Sequence, residues 1–282
     1  MLTRQRKRHI LAVLARDGQV VARALSQELA VSEDTVRRDL RELAAEGALQ
    51  RVHGGALPAS PAVVALAGRE QLAPDQKHAL GRAAAALVEP GHVVFVDGGT
   101  TALQMVRALP PDLRATVVTH SPLVAAELVA HRSIELVVIG GRVFKHSGVA
   151  VGAAAAQSIR EVRADTYFMG VTGLHVERGL STGDLEEAHI KRALLESAAE
   201  TVVLLTADKL GVASPYVIAP VSAVTTVLVG GEVPDARLAA IRRLGVAVRV
   251  ASARRPPAHR PGPGPRSHSG RRAAAATGRK RK

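Results

Sequence analysis

Apolar residues follow two different patterns along this chain. Before residue 57 they recur every three or four positions, which is typical of short amphipathic helices. After residue 76 they form continuous runs of four to six residues, which are typical of strands buried on both faces of a parallel sheet. Seven such runs predict strands: Val93–Val96, Thr116–Thr119, Leu136–Ile139, Thr166–Met169, Val202–Leu205, Val224–Val229 and Val246–Val250. Amphipathic or alanine-rich stretches between the runs are long enough for crossover helices, so residues 76–250 predict a mostly parallel α/β domain.

The N-terminal pattern predicts three helices and a hairpin over residues 1–57. Ala30-Val31-Ser32 is the brief turn that a helix-turn-helix requires between its second and third helices. Ser32 is a favourable N-cap for the third helix, which buries an aliphatic face and presents Arg38 and Arg41 on the opposite face. Such a face suits the major groove of DNA, but a three-helix bundle whose arginines merely contact water has the same periodicity.

The net charge of +13 is weak evidence for DNA binding, because most of the excess lies in the C-terminal tail. Residues 251–282 contain ten basic and no acidic residues, whereas residues 58–250 contain equal numbers of both. This tail is rich in Pro, Gly and Arg, which predicts disorder and at most a nonspecific attraction to DNA phosphates. A DNA-architectural protein that works through its basic tail would not need a neutral α/β domain. Three prolines mark a linker over residues 58–75.

The strongest chemical pattern of the second domain is the segment Val93–Thr101. A buried strand runs into Asp97, Gly98, Gly99, Thr100 and Thr101, and a helix begins immediately afterwards. Glycines permit a tight turn, and the hydroxyls and amides at a helix N-terminus favour phosphate or another anion. Taken alone, the motif fits a simple strand-to-helix turn equally well.

Two further motifs resemble those of a known protein family. Residues 31–40 (Val-Ser-Glu-Asp-Thr-Val-Arg-Arg-Asp-Leu) and 51–56 (Arg-Val-His-Gly-Gly-Ala) resemble the recognition helix and wing of the DeoR/GlpR family of bacterial regulators. The resemblance implies a winged helix-turn-helix that binds double-stranded operator DNA. The candidate DNA-binding residues are Ser32, Thr35, Arg37, Arg38, Arg41, Arg51 and His53.

The resemblance continues over approximately residues 76–230, which are similar to the effector domain of that family, a fold related to ribose-5-phosphate isomerase. It implies that a phosphorylated sugar or related metabolite binds at the carboxyl ends of the strands. The candidate effector-binding residues are Asp97, Gly98, Gly99, Thr100, Thr101, Lys191 and Lys209. Lys191 fits a solvated helix lysine beside Glu187 at least as well. Lys77 also resembles a lysine typical of the family.

Two residues depart from the family pattern. His120 stands where the family usually has Asn, and Thr206 stands where it tends to have Asp. An enzyme that isomerises sugar phosphates is the alternative function. It needs acid–base groups, yet Met169 and Thr172 occupy the positions where such isomerases carry acidic residues.

The sequence therefore predicts a transcription regulator, expected to be a repressor of carbohydrate catabolism genes that a phosphorylated metabolite relieves. It contains no Cys and no paired histidine spacing, so we expect no metal site, and nothing implies a cofactor. We expect no membrane segment and no signal peptide, hence a cytoplasmic protein. A homodimer or homotetramer is expected because one short helix reads only a few bases.

Overall fold

The structure is a computed structural model that describes residues 2–17, 19–58 and 66–251. The predicted basic tail lies outside the described residues except for Ala251, which ends the last strand. Within the described ranges, no helix is both long and apolar enough to cross a membrane.

The N-terminal part is a winged helix-turn-helix. Its elements are α1 (Thr3–Asp17), β1 (Val20–Val21), α2 (Ala22–Glu28), α3 (Glu33–Ala45), β2 (Leu49–Val52) and β3 (Gly55–Pro58). The three strands form an antiparallel sheet in the order β1–β3–β2. The hairpin of β2 and β3 is the predicted wing, whereas the pattern missed β1, which is only two residues long.

The core of this domain contains the aliphatic positions that the helical period selected. Val36, Leu40 and Leu43 of α3 pack against Ile10 and Leu25 from the two preceding helices. The Ser32 hydroxyl accepts a hydrogen bond from the Thr35 amide at 3.2 Å, which confirms the predicted N-cap.

One buried ion pair in this domain has no counterpart in the sequence prediction. The Arg6 guanidinium donates to both carboxylate oxygens of Asp39, the second contact at 3.0 Å. Both side chains are buried. The pair fixes α1 against α3, and thereby sets the orientation of the face that α3 presents to solvent.

The second part contains seven further α-helices, two short 3-10 helices (Ala207–Lys209 and Val221–Ala223) and twelve strands among the described residues. The helices are α4 (Leu66–Arg69), α5 (Pro74–Ala85), α6 (Thr100–Arg107), α7 (Pro122–Leu128), α8 (Ala153–Arg160), α9 (Leu185–Glu196) and α10 (Asp235–Arg242). The strands are β4 (Val93–Val96), β5 (Thr116–Thr119), β6 (Glu135–Val138), β7 (Arg142–Phe144), β8 (Val149–Val151), β9 (Ala164–Gly170), β10 (Gly173–His175), β11 (Gly179–Thr182), β12 (Ala198–Thr206), β13 (Tyr216–Ala219), β14 (Thr226–Gly230) and β15 (Ala247–Ala251).

Seven of these strands form one parallel sheet in the order β15–β14–β12–β9–β4–β5–β6. They are the seven strands that the apolar runs predict, which confirms the mostly parallel α/β fold. The sequence pattern missed β7 and β8, which pair as a hairpin, and the antiparallel sheet β10–β11–β13. These strands have three or four residues each, and several of them contain glycine or polar residues, so they form no continuous apolar run.

Helices cover both faces of the parallel sheet. Consecutive side chains of each strand point to opposite faces, so Phe95 joins the core beneath α8, α9 and α10, while Val94 and Val96 join the core beneath α5, α6 and α7. The result is a three-layer α/β/α arrangement, in which the carboxyl ends of β4 and β9 meet at one rim of the sheet.

Part of the segment assigned to the linker contacts this α/β layer. The α4 helix lies within it, and the Leu66 amide donates to the His146 carbonyl at 3.1 Å. Ala73, which precedes α5, has φ = +48°, a left-handed conformation that disfavours any residue with a Cβ.

Replacement of Asp39 tests the buried ion pair. Asp39→Ala removes the carboxylate that accepts both hydrogen bonds from the buried Arg6 guanidinium, so we expect a loss of about 3 kcal/mol in unfolding free energy. Urea unfolding followed by circular dichroism measures it. Asp34→Ala on the exposed face of the same helix is the matched control and is expected to change stability by less than about 0.5 kcal/mol. Equal losses for the two variants would contradict the structural role of the pair.

Candidate functional site

The solvent-facing surface of α3 and the wing hold the residues predicted to bind DNA. Arg37, Arg38 and Arg41 on the helix are exposed, as are Arg51 on β2 and His53 in the turn of the wing. Ser32 is exposed and Thr35 half-buried; their hydroxyls lie 2.9 Å apart at the start of α3. The structure therefore brings all seven residues to the helix and the hairpin that follows it.

Acidic residues hold two of these arginines along the helix surface. The Arg37 guanidinium lies 2.7 Å from Glu33, and that of Arg38 lies 3.3 Å from Glu42, each one helical turn away. Exposed pairs of this kind contribute only about 0.3–0.5 kcal/mol, so a phosphate or base can displace the carboxylate at small cost. Arg41 has no ion-pair partner among the described residues.

The segment 97–101 lies at the rim of the parallel sheet and opens into a small cavity, here called the first chamber. Gly98, Gly99, Thr100 and Thr101 line it, together with Lys191 and Lys209. Gly99 is the N-cap of α6 at φ = +102°, a conformation that favours glycine. A Cβ on Gly98 would lie 2.2 Å from a methyl group of Val149, so this backbone position also requires glycine.

The loop supplies hydrogen-bond donors to the first chamber. The first amides of α6 have no carbonyl partner within their own helix. The hydroxyls of Thr100 and Thr101 have no hydrogen-bond partner among the described residues. Amides and hydroxyls at a helix N-terminus can together hold an anion.

Asp97 lies beneath the loop and is fully buried. One carboxylate oxygen accepts from the Gly98 amide at 2.8 Å and contacts the His120 ring at 3.0 Å. The other accepts from the Gly170 amide at 2.8 Å and the Tyr167 hydroxyl at 3.1 Å, and also from the Lys191 ammonium. Asp97 does not line the first chamber, so its carboxylate fixes the loop from below.

The charges around Asp97 keep it ionised despite burial. Burial alone would raise the pKa of Asp97, but the adjacent Lys191 ammonium and the contact with His120 outweigh it and lower the pKa well below the usual value. Burial would likewise lower the pKa of Lys191, yet Asp97 and Glu187 raise it. Lys191 is therefore a buried ion-pair partner rather than a solvated helix lysine, with its ammonium also 3.5 Å from Glu187.

His120, one of the two departures from the family pattern, belongs to the same network. Its Nδ1 lies 2.9 Å from the Ala150 carbonyl oxygen, and its Nε2 lies 3.0 Å from the Asp97 carboxylate. The imidazole ring therefore links the Asp97 carboxylate to the backbone of β8.

Lys209 lines the first chamber from the turn after β12. Burial lowers its pKa to about 8; Asp208 opposes this shift, while Lys77, Arg69 and Lys191 add to it. The ammonium has no hydrogen-bond or ion-pair partner among the described residues. A cation that is partly desolvated and lacks a partner is suited to pair with an anionic ligand.

Sequence reasoning missed Arg69 and did not give Glu187 a role in the site. Arg69, in α4, lines the first chamber and donates to the His146 carbonyl at 3.1 Å and to the Ser147 hydroxyl at 3.3 Å. Lys77 donates to the Arg69 carbonyl, which places this family-type lysine behind the site. No sequence signal identifies Arg69, because a four-residue helix has no period and its partners are almost eighty positions away.

Among the described residues, no cluster of three or more His, Asp or Glu side chains could hold a metal ion. Met169, at one position where the isomerases are acidic, is buried in the core. Thr172, at the other, holds its hydroxyl 3.2 Å from the Ser181 carbonyl.

A winged helix-turn-helix joined to an α/β domain with a cationic cleft defines the class of transcription regulators that carry their own sensor domain. Comparison with known families agrees: residues 6–61 match the DeoR-like helix-turn-helix domain, and residues 72–230 match the DeoR C terminal sensor domain. The chain belongs to the DeoR family of transcription regulators.

Relatives of this chain are transcriptional regulators. The HTH-type transcriptional regulator GlpR of Haloferax volcanii is 36% identical and covers 75% of this chain and 83% of its own length. A putative aga operon transcriptional repressor of Escherichia coli O157:H7 is 30% identical, with coverage of 87% and 93%. The glycerol-3-phosphate regulon repressor of Escherichia coli K12 is 29% identical, with coverage of 73% and 82%.

Similarity to enzymes is more distant. Ribose 5-phosphate isomerase A of Methanocaldococcus jannaschii is 21% identical over 49% of this chain and 54% of its own, with a TM-score of 0.37. Nothing about its chemistry transfers at that level. The similarity to the regulators named above therefore supports the function of a transcription regulator over that of an isomerase.

Replacement of Asp97 tests its position at the centre of the site. Asp97→Asn keeps the shape but removes the carboxylate that pairs with the buried Lys191 ammonium, so we expect a loss of about 3–5 kcal/mol in unfolding free energy. Chemical denaturation of the full chain measures it, with Glu186→Gln on the outer surface of α9 as the control. A loss no larger than that of the control would show that the buried charges do not depend on Asp97.

Proposed function

We propose that this regulator is a repressor that binds an operator near carbohydrate catabolism genes and is relieved by a phosphorylated sugar or related metabolite in the first chamber. The observation that carries the proposal is a cation without a partner. Asp97 and Glu187 pair with Lys191, whereas Lys209 has no hydrogen-bond or ion-pair partner among the described residues and faces a loop of amides and hydroxyls.

The proposed phosphate contacts are Gly98, Gly99, Thr100, Thr101 and Lys209, with Arg69 added from the structure. Lys191 lines the chamber, but Asp97 and Glu187 hold it. We therefore assign Lys191 and Asp97 to positioning the loop. The names of two relatives support the ligand class, since one represses an aga operon and another a glycerol-3-phosphate regulon.

On the DNA side, we propose that Arg37, Arg38 and Arg41 enter the major groove while Arg51 and His53 contact the backbone beside it. Ser32 and Thr35 lie where the helix N-terminus meets phosphate. One such helix reads only a few base pairs, so we propose a homodimer or homotetramer on paired half-sites. Because operator DNA lies in the cytoplasm, we propose that the protein is cytoplasmic.

We propose that α4 communicates ligand occupancy to the DNA-binding domain. Residues 59–65, which lie outside the described residues, connect the wing to this helix. Arg69 of α4 reaches the first chamber, and the Leu66 amide ties the same helix to His146. A bound anion attracts the guanidinium and so favours one position of α4, which is the differential contact that an allosteric change requires.

A reciprocal pair of variants separates the two sites. Arg38→Ala is expected to weaken binding to operator fragments, selected from genomic DNA with the unmodified protein, by at least about tenfold, because it removes a groove contact. Phosphorylated sugars should still raise its melting temperature. Lys209→Ala is expected to bind the operator normally and to lose that rise.

Fluorescence anisotropy measures operator binding, and a thermal-shift panel of sugar phosphates and their unphosphorylated counterparts measures the ligand. A saturating ligand at about 100 times its Kd adds roughly 2.7 kcal/mol, which shifts melting by several degrees. Arg160→Ala, on the surface of the α/β domain, controls for loss of a surface arginine. Full ligand response in Lys209→Ala would contradict the assigned site.

The shifted pKa of Lys209 sets a pH dependence for ligand binding. Because its pKa is lowered to about 8, the ammonium loses its proton as pH rises through 8, and affinity for a phosphate dianion falls. Below about pH 6 the phosphate itself gains a proton, so affinity is expected to be highest between about pH 6 and 8. Isothermal titration calorimetry at several pH values measures this.

Lys209→Arg is the matched variant for that profile. Arginine stays protonated throughout the range, so the fall above pH 8 should disappear while the fall below pH 6 remains. If affinity still fell above pH 8 in Lys209→Arg, that fall would belong to another titrating group and not to Lys209.

A further inference from the structure

A second chamber adjoins the first and shares Arg69, Thr172 and Glu187 with it. Its remaining wall comes from Gly183 and from the β7–β8 hairpin, through Phe144, His146 and Ser147. The first chamber has a volume of about 40 Å³, while the second has about 230 Å³. A water molecule needs about 10–15 Å³ by the same measure, so the first chamber admits little more than a phosphate group.

We propose that the second chamber binds the hydroxylated carbon chain of a phosphate monoester and that Glu187 selects a neutral hydroxyl there against a second anionic group. This inference rests on the proposed function, because it requires the phosphate in the first chamber. It names the ligand class as polyol or sugar monophosphates, and excludes phosphorylated carboxylic acids and bisphosphates.

The hydrogen bonds of Glu187 support this selectivity. One carboxylate oxygen accepts from Thr182 at 3.0 Å and from Ser147 at 3.2 Å, while the other lies 3.5 Å from the Lys191 ammonium. A carboxylate offers about four acceptor positions, so these three contacts leave capacity for a ligand hydroxyl. The side chain is almost fully buried at the boundary of the two chambers.

Glu187 also repels anions. Its carboxylate has a fixed place in the network, since Lys191 and two hydroxyls hold it, and it cannot swing away from a second negative charge. In a partly desolvated cleft, bringing like charges together is strongly unfavourable. A ligand hydroxyl donates to the same oxygen without that penalty.

The other walls of the second chamber suit a sugar chain. The rings of Phe144 and His146 lie with their centroids 5.8 Å apart at a 36° tilt and present apolar surface to carbon-bound hydrogens. Arg69 and Ser147 add a polar rim, joined to each other at 3.3 Å. The chamber therefore combines an apolar wall with hydrogen-bonding groups on one side, as carbohydrate recognition requires.

Two pairs of probes test this with the full chain. Glycerol 3-phosphate and 3-phosphoglycerate have three carbons each, and sorbitol 6-phosphate and 6-phosphogluconate have six; within each pair a terminal hydroxymethyl group is replaced by a carboxylate. Calorimetry or thermal shift gives the affinities, with inorganic phosphate as the reference. We expect the hydroxylated member of the better-binding pair to bind at least about tenfold more tightly than the acid.

Glu187→Gln is expected to reduce that ratio to within about threefold, since the amide keeps the shape and removes the repulsion. Glu186→Gln, one residue away and outside both chambers, should leave the ratio unchanged. The ratio in the unmodified protein tests the proposal even if Glu187→Gln folds poorly.

The outcomes distinguish the two proposals. Inorganic phosphate binding with both members of each pair equal, or with the acid preferred, overturns the second-chamber inference alone. If no probe binds, inorganic phosphate included, the phosphate site of the proposed function fails and this inference fails with it.

Discussion

The sensor half of this protein depends on one buried carboxylate. Asp97 receives contacts from its own loop, from His120 after β5, from Tyr167 and Gly170 of β9 and from Lys191 of α9. A buried charge is tolerated only when it is paired and fully hydrogen-bonded, and here those partners come from four separate elements. The requirement to satisfy one side chain thus fixes the rim of the sheet on which the cleft is built.

That arrangement divides the cations of the site into two kinds. Lys191 is paired with Asp97 and Glu187, and this pairing stabilises the fold. Lys209 is desolvated without being balanced, which lowers its pKa to about 8 and leaves it available to an anion. A cleft that kept all its cations paired would be as rigid but would have no electrostatic reason to bind phosphate.

The sequence predicted the arrangement of helices and parallel strands better than the contacts of the site residues. The seven parallel strands and the core face of α3 appeared because burial on both sides of a strand, or on one side of a helix, leaves a period of apolar residues. The hairpin β7–β8 and the small sheet β10–β11–β13 left none, since several of their short strands contain glycine or polar residues and form no continuous apolar run. The place of Asp97 beneath the loop, the burial of Lys191 and the approach of Arg69 to the cleft depend on tertiary packing, which spacing along the chain does not encode.

The shared wall of the two chambers has a consequence for how such regulators diversify. The first chamber is made of backbone amides and charges that the whole sheet supports, whereas much of the second is made of side chains on a single short hairpin. Substitutions at Phe144 or His146 can therefore alter which carbon chain fits without changing the phosphate contacts of the first chamber or the position of α4. Ligand preference can drift over evolutionary time while the switch stays intact.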